Sequence, residues 1–161
     1  MKIHVVLVHP QIPNNTGNIG RLCVGMDVAL HLIEPLGFTI DDARVKRSGL
    51  DYWPHLSYHT YPSFAAFVKQ QNPEQLYYFT AHAKQELWDV TFTRTEEVYL
   101  VFGREADGLP NTVLKDYPGK LVFIPIYSDN IRCYNLANSV SMALMEVKRQ
   151  QKFIHNGINT N

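Results

Sequence analysis

Ile3-His4-Val5-Val6-Leu7-Val8, stopped by His9-Pro10, is the stretch on which the fold turns. It is short, mostly apolar and rich in β-branched residues, the pattern of a parallel strand buried on both faces. Pro13-Asn14-Asn15-Thr16-Gly17 then reads as a loop. Ile19, Leu22, Cys23 and Met26 recur at helical spacing in a helix from Asn18 to about Ala29.

The alternation continues outward. Residues 31–34 read as a strand closed by Pro35-Leu36-Gly37. Thr39, three residues before Asp42, opens a short helix that Gly49 ends. Trp53 to Tyr61 reads as extended, and Ser63 caps a helix running through Gln71. Leu76 to Thr80 is a strand, whereas 81–97 carries no clear period. Val98 to Phe102 is a strand, and a helix entered at Pro110 ends at Pro118. Leu121 to Ile126 is a strand and 127–134 a polar loop. The last helix runs from Asn135 to about Lys152, with an apolar stripe at 136, 140, 143, 144 and 147. Strands alternating with helices predict an α/β domain, a mostly parallel sheet flanked by helices.

The 161 residues suit a single domain, 1–161, at the usual ~100–200 residues each. A hydrophobic share of 45%, with eight Phe and nine Tyr, supplies a core without disulfide staples. The 19% charged share excludes a disordered chain. Fifteen basic residues balance fifteen acidic ones, so any RNA binding must rest on clustered charge. Cys23 and Cys133 form no CxxC and fit a reducing compartment. The apolar start is too short for a signal peptide, and no segment reaches the ~20 apolar residues of a membrane span. A cytoplasmic protein with no membrane partner is expected, and its polar tail, 155–161, is expected to fray.

In open α/β sheets, ligands bind beyond the carboxyl ends of strands. Three such loops are rich in polar and small residues: 9–21, 102–110 and 124–138. The first lacks both the G-x-G-x-x-G turn and a Gly-Lys-Ser/Thr, which excludes a dinucleotide fingerprint and a P-loop. It offers Asn14, Asn15 and Asn18 as joint donors and acceptors, with Arg21 as a rigid cationic fork. The same asparagines would also serve as turn or cap residues. In the second loop Gly103 and Gly108 bracket Glu105, which could hold a ribose hydroxyl, steer Arg21 or accept a proton. In the third, Asn135 and Asn138 open the last helix, as caps, as site residues or as both.

Other residues invite plainer readings. His55 and His59 are spaced four apart, but Pro54 opposes a helix and no third ligand is evident, so no metal is expected. Cys23 falls on the apolar stripe of the first helix and belongs to the core. Tyr52 and Trp53 read as packing residues rather than base-stacking ones.

Together the three loops resemble, in order and spacing, the three motifs of the SPOUT methyltransferases, SpoU branch. N-N-T-G-N-I-x-R matches at 14–21, F-G-x-E-x-x-G-L-P at 102–110, and I-P-I followed by R-x-x-N-L-A-N at 124–138. Residues 33–38 and 46–52 narrow the likeness to the short, extension-free TrmL-type group, which modifies the wobble nucleotide of certain leucine tRNAs. The resemblance implies a C-terminal deep trefoil knot and a homodimer with its active site at the interface. It implies methyl transfer from S-adenosylmethionine (SAM) to a ribose 2′-hydroxyl of tRNA, a cytidine or uridine, leaving S-adenosylhomocysteine. The alternative is a non-catalytic RNA-binding or ribosome-assembly protein of the same fold.

Carried over residue by residue, the cofactor site would comprise Phe79, Thr80, Gly103, Ile124, Cys133 and Leu136. Catalysis would involve Arg21, Asn14, Glu105 and Asn135. RNA binding would fall to Arg21 with Arg44, Lys46 and Arg47. Cys133 stands where relatives have Ser, and the loop from Ser128 to Tyr134 is one residue longer than theirs.

Overall fold

The computed structural model describes residues 1–40, 52–92 and 96–155, with side chains through Lys152. Seven strands form one sheet: β1 (Lys2–Val8), β2 (Ala29–Ile33), β3 (Tyr58–Tyr61), β4 (Leu76–Phe79), β5 (Gln85–Glu86), β6 (Glu97–Phe102) and β7 (Lys120–Phe123). Their order is β3-β2-β1-β6-β4-β7-β5, and every pair is parallel. Among the described residues four α-helices accompany them: α1 (Pro13–Met26), α2 (Phe64–Gln71), α3 (Asn111–Asp116) and α4 (Leu136–His155). The predicted α/β class is what the structure shows.

β1 is central, so both its faces are buried, and its side chains divide between two cores. Ile3, Val5 and Leu7 meet Ile19 and Cys23 of α1 and Val140, Ala143, Leu144 and Val147 of α4. Val6 and Val8 meet Phe64 and Phe67 of α2 and Val113 of α3. The helices thus cover the sheet on both sides, which lets a parallel strand dispense with polar residues. Leu144 is fully buried in the first core. Leu144→Ala should destabilise the protein by about 2–5 kcal/mol, read from denaturant unfolding.

Several boundaries differ from expectation. The stretch 13–17 is not a loop: α1 begins at Pro13, whose ring suits the first turn. The amides of Asn15 and Thr16 bond the Ile12 carbonyl, so no asparagine caps this helix. α1 stops at Met26, where Asp27 turns left-handed at φ 52°. The stretch 53–61 opens with a 3-10 turn at Trp53–His55 before β3. β7 ends at Phe123, three residues early, before Pro125, which has no N–H to give a ladder. Within 81–97 lie β5 and a 3-10 turn at Leu87–Asp89, too short to show a period. The short helix expected over 39–49 lies almost wholly outside the described residues, as does most of the 155–161 tail.

The second core contains a polar network that the pattern of apolar residues hides. His31 on β2 is 1% exposed. Its Nδ1 lies 2.9 Å from the Tyr61 hydroxyl and its Nε2 3.0 Å from His4 Nδ1. Gln71 donates to the same Tyr61 oxygen at 2.9 Å, and the His4 ring stacks on Tyr99 at 4.2 Å between centroids. Burial, then the neighbouring His4 and His59, depress the His31 pKa to about 3. The folded pKa lies below the unfolded value of about 6.5, so the unfolded chain binds more protons between them. The stability contributed is therefore complete above about pH 6.5 and is lost as pH falls toward 3, at up to ~1.4 kcal/mol per pH unit. His31→Gln should flatten this dependence. Urea midpoints at pH 7.5 and 5.5 should fall further apart for the wild type than for the variant.

Candidate functional site

The strand order reverses where β6 inserts between β1 and β4, and the loops leaving that point converge. A cavity of about 570 Å³ opens there, beyond the carboxyl ends of β4, β6 and β7, with the start of α1 as a fourth wall. This volume is within the usual range for a small-molecule site, ~300–1,000 Å³.

The walls come from all three motif loops. Phe79 ends β4 and Thr80 follows it, Gly103 and Glu105 follow β6, and Ile124 follows β7. Cys133, Asn135 and Leu136 lead into α4, and Ile12 and Asn15 belong to the first loop. All six residues expected to hold a cofactor therefore line one cavity. Phe79 stacks on Phe102 at 4.5 Å between centroids, giving the floor a rigid apolar slab.

Glu105 fastens the loops together. Its Oε2 accepts from the Gln11 amide at 3.0 Å. Its Oε1 accepts from the Ile12 amide at 3.2 Å and from Asn15 Nδ2 at 3.0 Å. Asn15 Oδ1 in turn accepts from Asn135 Nδ2 at 3.0 Å, and Asn135 Oδ1 accepts from the Ala137 amide at 2.9 Å. A carboxylate at the positive end of α1 is thus tied through two carboxamides to the cap of α4. Both carboxylate oxygens are engaged, so Glu105 has the geometry of a positioning residue rather than of a free proton acceptor.

The loop holding Glu105 is folded back on itself. Arg104 and Gly108 exchange backbone bonds at 3.1 and 3.0 Å, and Gly108 adopts φ +72°. A Cβ on Gly103 would lie 2.0 Å from the Gly108 carbonyl carbon and 2.2 Å from the Leu109 nitrogen. Bare backbone is therefore all that fits at this wall of the cavity.

The first motif divides. Asn15 is buried and faces the cavity, whereas Asn14, Asn18 and Arg21 are exposed and line no part of it. Their spacing of four and three puts them on one face of α1. Asn14, expected to act in catalysis, therefore shares the exposed face with Arg21, while Asn15 faces the cavity of its own chain, because a helix starting at Pro13 separates adjacent side chains by about 100°. Arg104 and Arg132 also border the cavity, and spacing alone had not singled them out. Arg104 pairs with Asp107, while its buried Nε has no partner among the described residues, a donor available to a ligand. Arg44, Lys46 and Arg47 lie outside the described residues.

The remaining candidates are structural. Cys23 is fully buried, and burial pushes its thiol up to about 12, which leaves it unreactive near neutrality. Tyr52 donates to the Gly17 carbonyl at 2.6 Å and Trp53 packs on Tyr58, so both are packing residues. His55 sits in the 3-10 turn and His59 on β3, not on one helical face. Among the described residues, no helix is long and apolar enough to cross a membrane.

Comparison with known proteins bears directly on this site. A Lactobacillus gasseri protein provisionally named an RNA (cytidine(34)-2′-O)-methyltransferase is 45% identical over 95% of this chain and 83% of its own. A Burkholderia cenocepacia tRNA (cytidine(34)-2′-O)-methyltransferase is 40% identical over 93% of this chain and 96% of its own. A structure solved for insight into 2′-OH methylation of C/U34 on tRNA superposes with a TM-score of 0.86. It is 38% identical and covers 94% of this chain and 97% of its own. The model of the SpoU rRNA methylase family matches residues 2–145, a span that includes every loop around the cavity, and the chain belongs to that family.

Proposed function

We propose that this protein transfers the methyl group of SAM to the ribose 2′-oxygen of the wobble nucleotide, residue 34, of tRNA. The substrate nucleotide is a cytidine or uridine, with leucine tRNAs the first candidates, and the enzyme works in the cytoplasm as a homodimer. The observation that carries the reading is the Glu105–Asn15–Asn135 chain, which knits the three motif loops around one cavity. The names of the relatives point to the same nucleotide.

The cavity suits an adenosyl group. Phe79, Ile124 and Leu136 offer apolar surface to a purine, and Gly103 lets backbone approach closely. Bound there, SAM supplies an electrophilic methyl on a sulfonium, so no metal is needed to activate it. The C-terminal knot that the family resemblance implies would bring Cys133 and Leu136 against the loop after β6.

The chain's own residues have two tasks. The Glu105 clamp fixes the cavity walls, and holding two reactants in line is worth up to ~7–11 kcal/mol of barrier. Arg21 grips a phosphate beside the target and stabilises negative charge developing on the 2′-oxygen. A guanidinium keeps its proton in proteins and is a poor base, so the 2′ proton leaves to water or to the RNA phosphate. Arg21 lies on the exposed face of α1, away from the cavity of its own chain, and Met145 is 56% exposed on α4, which packs beside α1. An α1–α4 interface between two copies would carry Arg21 to the other subunit's cavity.

The test is to incubate the protein with isotope-labelled SAM and bulk tRNA from a strain lacking it, then map the label. Label in a 2′-O-methyl nucleoside at residue 34 is expected. Cofactor binding with no methylated nucleoside would instead support the non-catalytic alternative.

A further inference from the structure

Two large aromatic side chains stand exposed beside the cavity. Trp88 is 47% exposed and Tyr127 is 82% exposed. Trp88 sits in the turn directly after β5, and Tyr127 follows β7 by four residues. β5 and β7 are parallel neighbours, with Glu86 opposite Phe123, so both residues emerge at the sheet edge where the cavity opens. Ile126, adjacent to Tyr127, lines the cavity itself.

The two rings are held as a pair. Trp88 Nε1 donates to the Tyr127 hydroxyl at 3.2 Å, and fully buried Leu87 anchors the turn beneath Trp88. Neither ring stacks on another aromatic ring among the described residues. Aromatic surface of this size is normally covered.

We propose that Trp88 and Tyr127 form a stacking platform for an unpaired base of the RNA, next to the nucleotide being methylated. This rests on the RNA-methylation reading and extends it to substrate recognition. Every base presents a π-face, but only an unpaired one exposes it, so the platform selects single-stranded loops over duplex. Asp89 adjoins Trp88 and Asp129 lies two residues beyond Tyr127, which disfavours phosphate at the platform and leaves bases to meet the rings. Backbone charge is met instead by cations such as Arg132, which borders the cavity in the same loop.

The test uses the full chain, SAM and an unmodified tRNA transcript. The Trp88→Ala/Tyr127→Ala variant should bind SAM as the wild type does, while its KM for tRNA rises roughly 5- to 100-fold. Because stacking is lost and no phosphate contact is, the slope of log affinity against log salt should stay the same. Tyr127→Phe keeps the ring and should stay near the wild-type KM. In a Trp53→Phe background Trp88 is the sole indole, and its fluorescence should be quenched on adding the transcript. An unchanged KM in the double variant, an unquenched Trp88, or a shallower salt slope overturns the platform and leaves the methylation reading intact. A wild type that binds SAM but leaves tRNA unmethylated overturns both. A KM defect that Tyr127→Phe shares in full shows that the hydroxyl rather than the ring is needed, which also overturns stacking.

Discussion

Gly103→Ala should reduce SAM affinity by at least about 100-fold, a loss of some 2.7 kcal/mol. One methyl group has this effect because of what it meets. The added carbon would fall 2.0 and 2.2 Å from backbone atoms of Gly108 and Leu109, and no side chain can rotate aside to make room. The strand pair between Arg104 and Gly108 would have to open, and Glu105 between them would be drawn off Gln11, Ile12 and Asn15. Gly108→Ala supplies the control. Gly108 has positive φ but open space around its Cβ position, so alanine there costs only about 1–2 kcal/mol of backbone strain. Calorimetric titration with SAM should rank wild type, Gly108→Ala and Gly103→Ala in that order. A Gly103→Ala protein that binds SAM normally would show that this loop does not shape the cofactor wall.

The same glycines show what a sequence can and cannot reveal. Gly103 and Gly108 around Glu105 suggest close backbone approach to a ligand, and both glycines line the cavity. That Glu105 would reach back some 90 residues to the amides of Gln11 and Ile12 was not legible, because it depends on β6 lying beside β1. Strand order is set by packing between distant segments, and spacing carries no trace of it. The apolar run 3–8 and the stripe on α4 are strong local signals, and both elements form where expected. Local signals failed where helical and loop chemistry share residues. Asparagines next to Pro13 suit a turn as well as a helix start, and only the helix decides that Asn15 rather than Asn14 faces the cavity. The buried His31 network was invisible for a related reason: its partners, His4 and Tyr61, come from neighbouring strands far apart in sequence.

Arg21→Ala should lower kcat by about 10²- to 10³-fold, the usual cost of removing one preorganised donor from developing negative charge. SAM affinity should hold, because the role proposed for Arg21 is toward the RNA phosphate and the 2′-oxygen, and the cofactor walls are formed by other residues. Arg21→Lys separates two accounts: if the planar fork matters, lysine stays near the alanine value, and if charge alone suffices, it restores most activity. The decisive version mixes two dead proteins. Arg21→Ala retains a sound cavity, and Gly103→Val disturbs α1 only at its start, leaving Arg21 six residues beyond Asn15 on the helix. If each active centre combines one subunit's cavity with the other's Arg21, a hybrid dimer has one centre damaged twice and one centre intact. Randomly reassorted dimers should then recover about a quarter of wild-type activity, since half are hybrids with one working centre each. If instead each centre is built within one chain, every centre in every hybrid carries one lesion, and mixing restores nothing. Recovery of activity therefore places Arg21 across the interface, and its absence in demonstrably exchanged dimers returns Arg21 to its own subunit.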